Sequence, residues 1–148
     1  MRHLRRTIVA IAGVTVALAF ARVAVTSGAV ADEPVSNNTE LDQRNLEIKA
    51  WGNALAADST SAVALAQLAG LHLQRGRETG SDSDMLRAEQ YARRSLANRV
   101  NRNGKAYVTL ATALVASHRF AEAEEVAEQA VAYDPGVPEY RALLAEVK

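Results

Sequence analysis

The 148-residue sequence has no cysteine, three prolines and one tryptophan, and aromatic residues make up only 5% of it. The missing cysteine excludes a disulfide framework, a thiolate metal site, a CxxCH haem attachment and a lipid-bearing cysteine. Net charge is missing too, since 17 Lys and Arg balance 17 Asp and Glu, and that balance argues against a polybasic nucleic-acid binder. No glycine-rich loop is spaced to cradle phosphate, so no cofactor is expected. Histidine occurs three times, at His3, His72 and His118. None stands in a pattern with serine or a second histidine that would pair a nucleophile with a base, so the chain is expected not to be an enzyme. Glu122, Glu124, Glu125 and Glu128 form one acidic cluster, which reads as a solvated helix face rather than a cation site, and no metal is expected.

Alanine is what the chain has in abundance, at 30 of its positions. Alanine loses no side-chain entropy in a helix and lets neighbouring helices approach closely. From Thr39 onward the apolar residues recur at intervals of three and four, never two, which predicts an all-α fold. Turn signals divide this part into six helices, over about 40–57, 61–75, 84–99, 104–117, 120–133 and 138–147. Asp58-Ser59-Thr60-Ser61 and Asn101-Arg102-Asn103-Gly104 each offer N-cap side chains, while Asp134-Pro135-Gly136 stops a helix.

The N-terminus has a different character. Arg2, Arg5 and Arg6 precede the uncharged run Thr7–Ala21, and Ala29-Val30-Ala31 supplies a small-x-small site with Asp32 after it. This order reads as a secretory signal cut between Ala31 and Asp32. The competing reading is a retained membrane anchor, with the Arg22 side chain reaching back to the interface. Either way the protein is expected outside the cytoplasm, periplasmic or extracellular, and in contact with a membrane only through this segment. Residues 1–31 are thus the signal or anchor, 32–39 a flexible polar linker containing Pro34, and 40–148 the folded part. Removing residues 1–31 takes away four arginines and no acid, which leaves a mature net charge of −4.

Gly104–Val137 is thirty-four residues long. Tyr107, Leu110, Ala111 and Leu114 share one helix, Phe120, Ala123, Ala127 and Ala130 share the next, and Pro135 closes the unit. This stretch resembles the tetratricopeptide repeat, in which Ala123, Ala130 and Pro135 match outright. Tyr107 stands where the family has tryptophan, Ala111 where it prefers glycine and Leu114 where it prefers tyrosine. A looser copy precedes it, with Ala64, Leu65, Leu68, Ala69 and His72 on its first helix and Ala88, Tyr91, Ala92 and Ser95 on its second. That copy holds extra residues between its helices, within Arg77–Asp84, which are expected to project as a mobile loop. His118 falls where the repeat usually places a left-handed glycine. The resemblance implies a short right-handed α-solenoid of helix hairpins.

It also implies a non-catalytic scaffold or adaptor that holds a peptide or helix of a protein partner in a concave groove lined by first helices. Carried over to this sequence, the groove positions are Val63, Ala66, Gln67, Gly70, Leu73, Gln74, Lys105, Val108, Thr109, Thr112 and Ala116. The Lys/Asn/Arg set by which chaperone-binding relatives clamp a terminal carboxylate is missing, because Gln67, Gly70 and Thr112 cannot supply that charge. The alternative function is a self-associating assembly subunit, with Tyr140, Leu143, Leu144 and Val147 of the last helix as a homotypic seam. Charge is segregated: Arg87–Lys105 carries a local net of +5 and Glu122–Glu146 a net of −6. Those stretches lie largely on successive second helices, so complementarity between neighbouring repeats is expected, at ~0–1 kcal/mol per exposed pair, with a basic patch for an acidic partner as the alternative reading.

Overall fold

A computed structural model describes residues 37–148, and these form six α-helices and no strand. They are α1 (Asn37–Ala57), α2 (Ala62–Thr79), α3 (Asp82–Asn98), α4 (Gly104–Ala116), α5 (Phe120–Tyr133) and α6 (Pro138–Val147). Each helix packs on the next in sequence, and α2 also meets α4, which in turn meets α6. Alternate helices α2, α4 and α6 therefore form one layer, with α1, α3 and α5 behind it. That is the layout of stacked hairpins expected from the sequence.

The alanines make the layers possible. Ala69, Ala88, Ala92, Ala111, Ala123, Ala127 and Ala130 have no exposed surface, so backbones approach closely there while larger residues fill the gaps between them. Tyr107, Leu65, Leu68 and Leu114 are the large side chains buried deepest, each contributing ~1.5–3 kcal/mol relative to exposure. Tyr107 lies at the centre of an aromatic cluster, 5.9 Å from Tyr140 and 6.5 Å from Tyr133 between ring centroids. Burial pushes its phenol up to about 12. Gly104 admits this arrangement, because a Cβ there would lie 3.0 Å from the Tyr140 hydroxyl and 3.1 Å from its ring.

The last three helices begin and end within one residue of their expected bounds, and two differences lie upstream. First, α1 begins at Asn37, so residues 37–39 continue the helix instead of belonging to the linker. Second, the extra residues Arg77–Asp84 do not project as a loop. They lengthen α2 to 18 residues and α3 to 17, leaving a turn of only Gly80 and Ser81. Nothing in Arg77-Glu78-Thr79 breaks a helix, and the break falls where its chemistry is strongest. Gly80 adopts φ +69° and its N–H bonds the Gly76 carbonyl, while the Ser81 hydroxyl accepts the Asp84 N–H as the N-cap of α3.

Ser61 caps α2 as expected, its hydroxyl accepting the Ala64 N–H. Asn103 occupies the N-cap of α4 but does not cap it. Instead its buried amide donates to the Ser95 hydroxyl at 2.9 Å and to the Arg99 carbonyl at 2.8 Å. Ser95 then donates to the Ala62 carbonyl at 2.7 Å, so α2, α3 and the start of α4 share one buried polar chain. His118 adopts φ +56°, the left-handed conformation expected of it. Among the described residues no helix is long and apolar enough to cross a membrane.

Candidate partner-binding site

The layer formed by α2, α4 and α6 carries the positions expected to line a groove. Along α2 the residues Gln67, Gly70, Gln74 and Arg77 recur at helical spacing on one face, and along α4 so do Lys105, Val108, Thr112 and Ala116. Val63 and Val108 are 45% and 42% exposed. Gln67, Gly70 and Thr112 are half-buried, and Gln74, Lys105 and Ala116 are exposed. Three expected groove residues offer no surface to a partner. Ala66, Leu73 and Thr109 are 5%, 8% and 4% exposed; Leu73 packs with Ala88 and Ala113 in the core, and Thr109 lies in the seam where α4 meets Gly70. The expected cleavage residues Ala29, Ala31 and Asp32 lie outside the described residues.

Lys105 bridges the seam. Its ammonium donates to Gln67 Oε1, and its stem crosses Gly70 so closely that a Cβ there would sit 2.7 Å from Lys105 Cε. At the other end of the layer a cavity of about 330 Å³ opens between the C-terminal halves of the three helices. It is lined by Arg77, Thr112, Val115, Ala116, Leu143, Glu146 and Val147. Val115, Leu143 and Val147 make an apolar floor, with Arg77 and Glu146 on opposite sides. Of these, only Thr112 and Ala116 were expected from the sequence. Composition places Arg77 in the expected loop, although its spacing of three from Gln74 and seven from Gly70 continues the exposed stripe of α2. The alternative, self-associating reading places Leu143 and Val147 on a homotypic seam. Instead Tyr140 and Leu143 are buried, and Leu144 and Val147 pack against the same core. The apolar side of α6 is thereby used within the chain, and Glu139, Arg141, Ala142 and Ala145 face outward.

Behind this face, a buried ionic network braces α2 against α3. Asp84 receives both Arg75 Nε and Nη2, at 2.9 and 2.6 Å, and its Oδ1 lies 2.7 Å from His72 Nδ1. Arg75 also donates to Asn45 on α1 at 2.8 Å, and the His72 ring stacks on Tyr91. The Arg75 guanidinium holds the Asp84 carboxyl down at about 2. Burial lowers the His72 imidazole, against the opposing pull of Asp84. His72 is thereby held in the core, at 4% exposure. The Ser81-x-x-Asp84 spacing of an N-cap and its third residue marks the start of α3, but no local pattern pairs Asp84 with His72 and Arg75.

On the far side, α3 and α5 meet through charge. Arg119 spans Glu89 and Glu122, at 2.8 and 2.6 Å, and Arg93 bonds the same two carboxylates at 2.9 and 3.2 Å. One ion pair of the sense expected between successive second helices is present, Arg93–Glu122, while Arg119–Glu89 crosses with the signs reversed. Arg87, Arg94, Arg99 and Arg102 stay on the exposed surface.

Six helices stacked as hairpins, with one layer left open as a shallow face, define an α-solenoid repeat protein. The tetratricopeptide repeat family model matches residues 82–147, from the start of α3 to the end of α6. Such repeats are protein–protein interaction modules, and the family is typically non-catalytic. No curated protein matches the sequence.

Proposed function

We propose that this protein is an exported, non-catalytic scaffold that holds a peptide or helical segment of a protein partner on the face made by α2, α4 and α6. The observation that carries this reading is the continuity of that face. It runs from Val63 and Val108 through Gln67, Lys105 and Thr112 to the cavity above Val115, Leu143 and Val147. A surface that alternates apolar floor with a few fixed polar groups suits peptide recognition. Self-association through α6 has less support, because its apolar residues are spent on α4 and α5.

A photo-crosslinking residue at Thr112 should capture a protein partner in cells, while the same residue at Gln90, exposed on α3, should not. Capture from Gln90 alone, or from neither, rejects the face. Export rests on the order of charge, apolar run and small-residue site in residues 1–32. It predicts a chain recovered outside the cytoplasm, with Asp32 as its first residue if the segment is cut. A full-length chain confined to the cytoplasm would refute it.

A further inference from the structure

The charges of this face are unequal in a way that specifies its occupant. Between them α2 and α4 carry one carboxylate, Glu78, and three permanent cations, Arg75, Arg77 and Lys105. Two of these four are already committed: Glu78 to Arg44 of α1, at 2.5 Å, and Arg75 to Asp84. Arg77 and Lys105 remain, and neither has a carboxylate partner among the described residues; Lys105 holds only the neutral amide of Gln67. Both are exposed.

Their placement is as informative as their sign. Arg77 flanks the cavity with Ala116, whereas Lys105 lies beside Gln67 and Gly70 at the opposite end of the same seam. Ten residues of α2 separate Gln67 from Arg77, and eleven of α4 separate Lys105 from Ala116. At 1.5 Å per residue the two cations are therefore about 15 Å apart along the groove. That is too far for one carboxyl group to reach both. Between them the surface is neutral: Gly70, Gln74, Val108 and Thr112. The Arg77 end carries a cavity of about 330 Å³, which holds a single large side chain rather than a helix. The Lys105 stem keeps the remainder of the seam shallow.

From this geometry we propose that the face binds an extended acidic–apolar segment of a partner protein. One aliphatic or aromatic side chain fills the cavity, the carboxylate beside it meets Arg77, and a second carboxylate meets Lys105. An extended chain advances about 3.3 Å per residue, so the two acids stand about five residues apart. Glu146 faces the same cavity from α6, and its repulsion turns the first carboxylate toward Arg77. Exposed arginines also stand elsewhere, at Arg94, Arg99 and Arg102, so it is the cavity beside Arg77 that directs an acidic segment with an apolar side chain to this face. The inference rests on the concave-face reading above and adds the chemistry of the partner to it.

The test is selection of a phage-displayed library of random dodecapeptides on the full-length chain in detergent, followed by affinity measurements on the enriched peptides. Enriched sequences should carry two acids about five residues apart with an apolar neighbour to one of them. Arg77→Glu or Lys105→Glu should weaken them on the order of tenfold, and Thr112→Trp should block them, with helicity by circular dichroism unchanged in all three variants. Failure to enrich any peptide, enriched peptides without the acid pair, or indifference to both charge reversals overturns the proposal. Acids spaced about a helix's ten residues apart overturn it in favour of a helical ligand. Non-acidic peptides that Thr112→Trp still blocks reject this chemistry but keep the face. Peptides indifferent to Thr112→Trp as well place binding elsewhere and reject the reading beneath it.

Discussion

Asp84 shows how much a single residue decides here. It is 5% exposed, and its carboxylate is the shared acceptor that ties His72 and Arg75 of α2 to the first turn of α3. Replacing it by asparagine removes the charge from a bidentate pair and leaves Arg75 under-compensated, which should cost about 2–3 kcal/mol at neutral pH by urea denaturation. The pH dependence follows from two shifts. An unfolded aspartate titrates near 3.8 and the native one at about 2, so its contribution is complete above 3.8 and is lost as pH falls toward 2. The His72 imidazole is lowered from 6.5 by burial; the unfolded chain therefore takes up that proton first, and stability also declines as pH falls below 6.5. Two acid-side losses are expected in the wild type, and Asp84→Asn should retain only the upper one. An unaltered lower step would show that Asp84 is not its source.

At the scale of elements, the charge blocks were legible in the sequence but their pairing was not. Local nets of +5 and −6 foretold attraction between α3 and α5. Only the fold shows that it is concentrated in Glu89, Arg93, Arg119 and Glu122, with Arg119 supplied by the turn before α5. These groups are largely solvent-facing, so the cluster is screened by salt. Raising ionic strength should lower the melting temperature modestly, and Arg119→Ala should cost no more than about 1 kcal/mol while flattening that salt response. A wild-type melting temperature indifferent to salt would sink the pairing. The Arg77–Asp84 segment illustrates the opposite case. Its polar, glycine-containing composition suggests a loop, yet composition does not locate a break. A single left-handed glycine followed by an N-cap serine suffices to turn the chain, and every other residue of the segment joins a helix.

Across the whole described unit, α6 completes the core that α4 and α5 leave open. Leu143 packs there at 6% exposure beside Tyr140, and Leu143→Ala should cost about 2–4 kcal/mol. Trp51 of α1, half-buried at the other end of the stack, is the only tryptophan and reports unfolding far from that site. In so short an array neighbouring repeats lean on one another. The Leu143→Ala variant should therefore move the Trp51 fluorescence transition and the far-ultraviolet helicity transition together. A Trp51 transition that stays in place would show that the stack unfolds piecewise.

The sequence alone determined that this part of the chain is helical, how many helices it has, and where the last three begin and end. Those properties follow from apolar spacing and local turn chemistry, which act within a few residues. Tertiary structure decided which of the expected groove residues stay accessible, because Ala66, Leu73 and Thr109 are covered by neighbouring helices that no local pattern identifies. It also decided which charges are spent. Arg44, Arg75 and Arg119 find carboxylates from nine to thirty-four residues away or across a turn, whereas Arg77 and Lys105 find none. Whether a charge is neutralised depends on distances through space, and only the packed chain sets those.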